Sequence, residues 1–283
     1  MRKIKFKSEI LPQIGVGTWC IGDDSNKAAQ EIECITTAIN KFQMTLIDTA
    51  QMYGNGLSEH IVGEVIKRVD RQKIFVIDKI LPENAYKGNF EKQVKQSLKL
   101  TNCEYFDLYL LHWREDTILQ DVVDEMEMLV KKGYIKHWGV SNFDVDDMED
   151  LFKCRNGNKC FANQILYNIY SRGIEYDLLP WCSKHDVLPI IYSPMGNVRE
   201  KQIELMADKT LKDICDRNDI SINSLMLKFV IRNENLITIF KTSSIKHLEE
   251  NLKDIDKKLT DKDLKLIDRA YPSPSCKVAL EKI

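Results

Sequence analysis

The chain has 283 residues, 43% of them apolar, and its 41 basic and 43 acidic side chains leave a net charge of −2. A balance so near neutral carries no electrostatic footprint for nucleic acid or for an anionic membrane surface. No apolar run approaches the roughly 18 residues of a membrane span, and the charged start lacks a signal-peptide core, so no membrane is expected as a partner and the cytoplasm is the expected compartment.

Residues 2–11 read as a short hairpin. Eight β-branched runs follow, at 13–19, 45–50, 74–80, 105–112, 135–140, 161–167, 188–193 and 236–240, with longer amphipathic stretches between them. Ile32, Ile35 and Ile39 form one helical stripe. In the clearest helix, Leu119, Val122, Val123, Met126, Leu129 and Val130 recur at helical spacing and Gly133 follows as the stop. Between 202 and 233 two helical patterns occur, divided near 219–221, before the last strand. Strands joined by single helices run parallel, and eight such units close into a barrel. The expected fold is therefore α/β, a (β/α)8 TIM barrel with an N-terminal hairpin plugging its lower mouth and extra helices near the C-terminus. No Pro/Gly/Ser-rich linker interrupts the pattern, so 1–283 is expected to form one domain. An open doubly wound sheet is the rival, but no GxGxxG occurs, and Gly15-Val-Gly17 lacks the third glycine and following helix that the motif requires.

The eight cysteines are isolated, with no CxxC pair, and are read as reduced, mostly buried small side chains. His60, His137 and His185 have no ligand-gathering spacing, so no metal is expected.

In a barrel of this kind the site lies where the strands end. Those ends carry Asp48, followed by Tyr53, then Lys79, then His112. An acid, a phenol, an ammonium and an imidazole converging on one cavity make a proton-donating site. A phenol titrates near pH 10, and an adjacent cation can lower that by about 1–3 units. Lys79 would supply the cation, Asp48 would hold it charged, and His112 would hydrogen-bond a carbonyl oxygen beside the phenol. Taken singly, each of these residues has a blander reading as a surface charge or a core histidine; it is their position on successive strand ends that makes a site.

With Asp48-Thr-Ala-Gln-Met-Tyr53-Gly-Asn55, Lys79, Leu111-His112-Trp113, Gly139-Val-Ser-Asn-Phe143, Asn163-Gln164 with Tyr167-Asn168, Tyr192-Ser193-Pro194-Met195, and Lys241-Thr242 leading to Glu250-Asn251, the sequence resembles the aldo-keto reductases over nearly its whole length. The resemblance implies a barrel enzyme that transfers hydride from NADP(H) to a carbonyl, with Tyr53 as general acid. It further implies that Ser141, Asn142 and Gln164 hold the nicotinamide carboxamide and that Tyr192 stacks beneath the ring. Ser193 and the 194–198 loop would approach the pyrophosphate, Lys241 and Thr242 the 2′-phosphate, and Glu250 and Asn251 the adenine. Trp19 and Trp113 would form the substrate pocket wall.

Two positions depart from the family pattern. His247 stands where an arginine often clamps the 2′-phosphate; an imidazole lacks the bidentate fork and is largely neutral at pH 7. Neighbouring Lys246 could compensate, so NADP(H) is favoured with NAD(H) left open. Asp78 precedes the lysine where a small residue is common, and alternation turns it toward the helix layer, with no partner evident in the sequence. The loops at 114–117 and after Tyr271 are short, which suggests an open mouth and small aldehydes, including aromatic ones and 2-oxoaldehydes, as substrates. The alternative reading is a slow-turnover NADP(H)-binding regulatory module on the same fold. A metal-assisted hydrolase using Asp48 and His112 leaves Lys79 and Tyr53 unexplained. A monomer or weak dimer is expected.

Overall fold

The computed structural model describes residues 1–196 and 198–282. Lys3–Phe6 (β1) and Glu9–Pro12 (β2) form the expected antiparallel hairpin. Eight parallel strands then close into a barrel: β3 (Ile14–Gly17), β4 (Leu46–Asp48), β5 (Phe75–Ile80), β6 (Phe106–Leu111), β7 (Ile135–Ser141), β8 (Ala162–Leu166), β9 (Leu188–Tyr192) and β10 (Ile237–Phe240), with β10 pairing back onto β3. Seven lie inside the predicted runs, and β7 extends one residue past its own. The helices are α1 (Ala28–Phe42), α2 (Leu57–Ile66), α3 (Phe90–Leu100), α4 (Leu119–Lys132), α5 (Val145–Lys153) and α6 (Leu178–Lys184). Three more, α7 (Arg199–Ala207), α8 (Lys209–Asn218) and α9 (Ile222–Val230), precede β10, and α10 (Ile245–Leu252) and α11 (Asp261–Ala270) follow it.

The helices end where the chemistry requires. The predicted stripe of α4 is buried from Leu119 to Leu129, and Gly133 stops the helix in the left-handed region at φ 77°. One expectation is corrected: the stretch read as two patterns holds three helices. Asp208 makes the extra break, because its carboxylate accepts from the Leu211 N–H at 2.9 Å and so caps a new helix instead of continuing the old one. Among the described residues no helix is long and apolar enough to cross a membrane.

Two apolar layers hold the barrel. Phe75, Ile77, Leu108, Leu110, Leu188, Ile190, Ile237 and Ile239 fill the lumen, while alternate residues such as Val76, Leu111 and Ile191 pack against the helices. Helix α2 lies close to the end of α3 because Gly63 has no side chain: a Cβ there would sit 2.4 Å from the Leu100 carbonyl oxygen. The hairpin seals the lower mouth. Phe6 meets Phe161 edge-on at 5.2 Å, and His137, stacked on Phe161 at 4.2 Å, has its Nε2 3.0 Å from Glu9 Oε1.

Candidate active site

The alternation that fills the lumen also aims the polar strand ends. Two residues beyond Leu46, Ile77, Leu110, Ile190 and Ile239 stand Asp48, Lys79, His112, Tyr192 and Lys241, each on the inward parity; Ser141 and Gln164 complete the ring from β7 and β8. Except for Lys79, fully buried beneath them, these side chains line a cavity of about 490 Å³ at the C-terminal end of the barrel, together with Trp19, Met52 and Tyr53. A larger hollow of about 710 Å³ lies at the hairpin end and is lined by none of them.

Lys79 organises the centre. Its Nζ donates to Asp48 Oδ2 at 2.8 Å, to the Thr49 carbonyl at 2.9 Å and to the Tyr53 hydroxyl at 3.0 Å. That accounts for all three protons of the ammonium. Burial pulls Lys79 down, but Asp48 and Tyr53 outweigh it and hold the ammonium above its ordinary value. Burial pushes the Asp48 carboxyl above its ordinary value, and Lys79 and Gln164, whose Nε2 donates to Oδ1 at 2.6 Å, pull against it in favour of the carboxylate that faces the ammonium. Tyr53 reaches this point by a tight turn. Gly54, Asn55 and Gly56 take φ of 57°, 52° and 94°, left-handed values that explain why two glycines follow the phenol.

The phenol departs from the expectation in one respect. Lys79 does pull Tyr53 down, but burial is the larger effect, and Asp48 and Asp78 add to it, so the hydroxyl is held above its ordinary value. Because Tyr53 accepts from Lys79, its own proton remains available to a ligand. Its ring meets His112 edge-on at 5.9 Å. Burial, then the Lys79 charge, pushes His112 down to about 2, so the imidazole stays neutral, and its Nδ1 has no partner among the described residues.

This makes a stability prediction. A histidine depressed when folded contributes stability above its unfolded value near 6.5 and loses it as pH falls from there toward 2. Below about pH 6 the His112→Gln variant is expected to lose stability with falling pH less steeply than the parent, by about 1.4 kcal/mol per pH unit. Denaturant unfolding at several pH values measures the slope, and parallel curves would show that His112 protonates in the folded state.

The predicted carboxamide holders form one chain of hydrogen bonds. Tyr192 donates to Asn142 Oδ1 at 2.6 Å, Asn142 Nδ2 donates to Ser141 Oγ at 3.1 Å and to the His112 carbonyl at 3.2 Å, and Ser141 donates to the Gln164 carbonyl at 3.0 Å. Gln164 links the chain to Asp48. Ser193 lines the cavity with φ 51°, its carbonyl held by Asn168 Nδ2 at 3.2 Å. Of the 194–198 loop, residue 197 lies outside the described residues.

The adenosine set is placed farther out. Lys241 lines the cavity, and Thr242 leads into α10 by accepting the Ser244 N–H at 3.2 Å. His247, Glu250 and Asn251 sit on α10 beyond the cavity lining; His247 and Glu250 are exposed and Asn251 is buried. Lys246 is 3.8 Å from Glu250. Trp19 is on the cavity wall, 46% exposed. Trp113 is not: it packs on His112 at 4.8 Å and donates to Glu115 at 2.6 Å. The C-terminal tail is held through Lys277 near Asp144 and Asp177 and through Glu281 against Ser171, and none of its described residues is among those that line the cavity. Among the described residues no three of His, Cys, Asp or Glu gather where they could hold a metal ion.

Some participants escaped sequence reasoning. Met52 lines the cavity beside Tyr53, and Glu59 and Tyr109 are buried behind Lys79 near Asp78. Strand parity could have placed Tyr109 beside Asp78. Nothing local marks Glu59, which sits on a helix whose neighbours Ile61, Val62 and Val65 are apolar.

The profile described as Aldo/keto reductase family matches residues 13–272. The chain belongs to the aldo/keto reductase family. Among its family relatives, methylglyoxal reductase YeaE of Escherichia coli K12 is 36% identical over 283 residues, covering 100% of this chain and 99% of that one. The NADH-specific methylglyoxal reductase of the same organism is 25% identical, covering 86% and 89%. An aldo/keto reductase from Klebsiella pneumoniae, solved in complex with NADP and acetate, superposes with a TM-score of 0.95 at 36% identity over 99% of each chain. The eight-stranded closed barrel is thus shared by an oxidoreductase family.

Proposed function

We propose that this chain, as a single barrel domain, reduces small aldehydes and ketones to alcohols, methylglyoxal among them, with NADPH preferred and NADH accepted. The observation that carries the reading is the Asp48–Lys79–Tyr53 chain, in which the phenol accepts from the ammonium and keeps its own proton for the cavity. The names of the two Escherichia coli relatives and the NADP held by the Klebsiella structure support it. The residues suit the cofactor: one cavity joins amide and hydroxyl groups, an aromatic ring and a terminal lysine.

When bound, the dinucleotide supplies the hydride that adds to the carbonyl carbon. Tyr53 gives its proton to the carbonyl oxygen, and Lys79 stabilises the phenolate left behind. Asp48 keeps Lys79 charged and aimed. Neutral His112 orients the carbonyl oxygen beside the phenol. Ser141, Asn142 and Gln164 would hold the carboxamide, and Tyr192 would support the nicotinamide ring. Ser193 would serve the pyrophosphate, Lys241 and Thr242 the 2′-phosphate, with His247 next to them, and Glu250 and Asn251 the adenine. Trp19 and Met52 wall the substrate, and Trp113 acts through His112.

The test is fluorescence titration with NADPH and NADH, then steady-state oxidation of each with methylglyoxal and a panel of aliphatic and aromatic aldehydes. Equal failure on every carbonyl refutes the reading; tight NADPH binding without turnover would assign the regulatory module instead. His247→Arg is expected to restore a guanidinium fork at the 2′-phosphate and to raise the preference for NADPH over NADH by about tenfold, roughly 1.4 kcal/mol. An unchanged ratio of dissociation constants would place the phosphate elsewhere.

A further inference from the structure

The parity that turns Lys79 into the lumen turns Asp78 out toward the helices, where it is fully buried. Opposite it in register on β6 is Tyr109, also fully buried. Helix α2 brings in Glu59, 2% exposed, within hydrogen-bond reach of Asp78 and of Ser97 on α3. Asp78 Oδ1 accepts the Lys79 backbone N–H at 2.8 Å. Asp78 Oδ2, Glu59 Oε1 and the Tyr109 hydroxyl have no partner among the described residues.

Three buried oxygens without a partner among the described residues pose a proton-counting problem. Two carboxylates side by side repel and have no proton between them. Two neutral acids carry one proton more than the contact between them uses. One proton on the pair makes an O–H···O⁻ bond between the two carboxyls and leaves one negative charge.

We propose that Glu59 and Asp78 share a single proton at neutral pH and act as a positioning pair behind Lys79. The pair holds the Lys79 backbone through Asp78 Oδ1, from the side of the strand opposite the reacting groups, and sets one negative charge behind Tyr53. Burial, then the Glu59 charge, pushes Asp78 well above the carboxylate range, and burial also pushes Glu59 up. The groups that face the pair are Lys79 from β5, Tyr109 from β6 and Ser97 from α3, with Tyr53 in the field of Asp78; Gln51 Nε2 donates to Ser97 at 3.3 Å. Lys79 is the cation whose charge acts on Asp78, and its protons are given to Asp48, Thr49 and Tyr53.

Infrared spectroscopy of the full-length protein reads the proton directly. At neutral pH the parent is expected to show the C=O band of a buried protonated carboxylic acid that shifts in D2O. Glu59→Gln and Asp78→Asn are each expected to keep a band of about the parent's intensity, because burial, the larger cause, keeps the remaining carboxyl protonated, and the double variant E59Q/D78N is expected to abolish it. Absence of the band in the parent means two carboxylates, and a band merely halved in each variant means two neutral acids; either overturns the proposal. The charge is read at Tyr53, as the tyrosinate absorbance that disappears in a Tyr53→Phe background. The double variant E59Q/D78N is expected to move that ionisation to lower pH, and an unmoved phenol would reduce the pair to a structural feature.

Discussion

Replacing Tyr53 with phenylalanine is expected to lower carbonyl reduction by about 10²- to 10⁴-fold, the range that a positioned general acid supplies, while NADPH affinity is retained. The ring stays, and with it the edge contact to His112 and the position beneath the Lys79 ammonium, 4.7 Å from the ring centre. Lys79 loses one acceptor of three but keeps Asp48 and the Thr49 carbonyl, so the ion pair and the barrel end survive. What is removed is the one proton in the centre that no neighbour consumes. In the parent, burial holds the phenol above its ordinary value, so turnover is expected to persist through neutral pH and to decline only on the alkaline side. Single-turnover reduction beside a fluorescence titration separates chemistry from binding, and turnover retained by the variant would assign the acid to another group.

Lys79→Met is expected to act twice. Removing one partner of a buried pair costs about 3–5 kcal/mol, because Asp48 is left charged in the barrel with Gln164 as its remaining side-chain donor. The sign of the pH dependence follows. Without the ammonium, burial raises the folded Asp48 carboxyl above its unfolded value near 3.9, so the variant loses stability relative to the parent as pH rises through the folded value. Denaturant unfolding should show the gap widening from acid to neutral pH, and adding Asp48→Asn should narrow it. The second effect is on the phenol. Lys79 pulls Tyr53 down, so its loss moves the alkaline limb of the rate profile upward while turnover falls. A limb that stays in place would show that the ammonium orients Tyr53 without tuning it.

Much of the architecture was legible because it rests on local periodicity. Each barrel strand carries its own β-branched run, and α4 carries both its stripe and its Gly133 stop, so neither needs a distant partner to be recognised. The break at Asp208 was missed because an N-cap carboxylate resembles any surface acid until the Leu211 N–H is seen bound to it. Asp48, Lys79 and His112 were legible for a related reason: parity within a strand sets which side chains face the lumen, and a polar residue at the last inward position is conspicuous after leucines and isoleucines. Trp113, read as pocket wall, sits on the outward parity next to His112 and outside the cavity lining.

Residue order alone thus determined the succession of strands and helices, the closure of the barrel and the inward set of polar ends, since all three follow from spacing along the chain. Only the tertiary structure decided how protons and charges are distributed among those ends. That Lys79 spends its three donors on Asp48, Thr49 and Tyr53, that burial outweighs the ammonium at the phenol, and that Glu59 meets Asp78 depend on distances between segments and on the removal of water. Electrostatic energy in a dry interior is set by both, and neither is written in the spacing of residues.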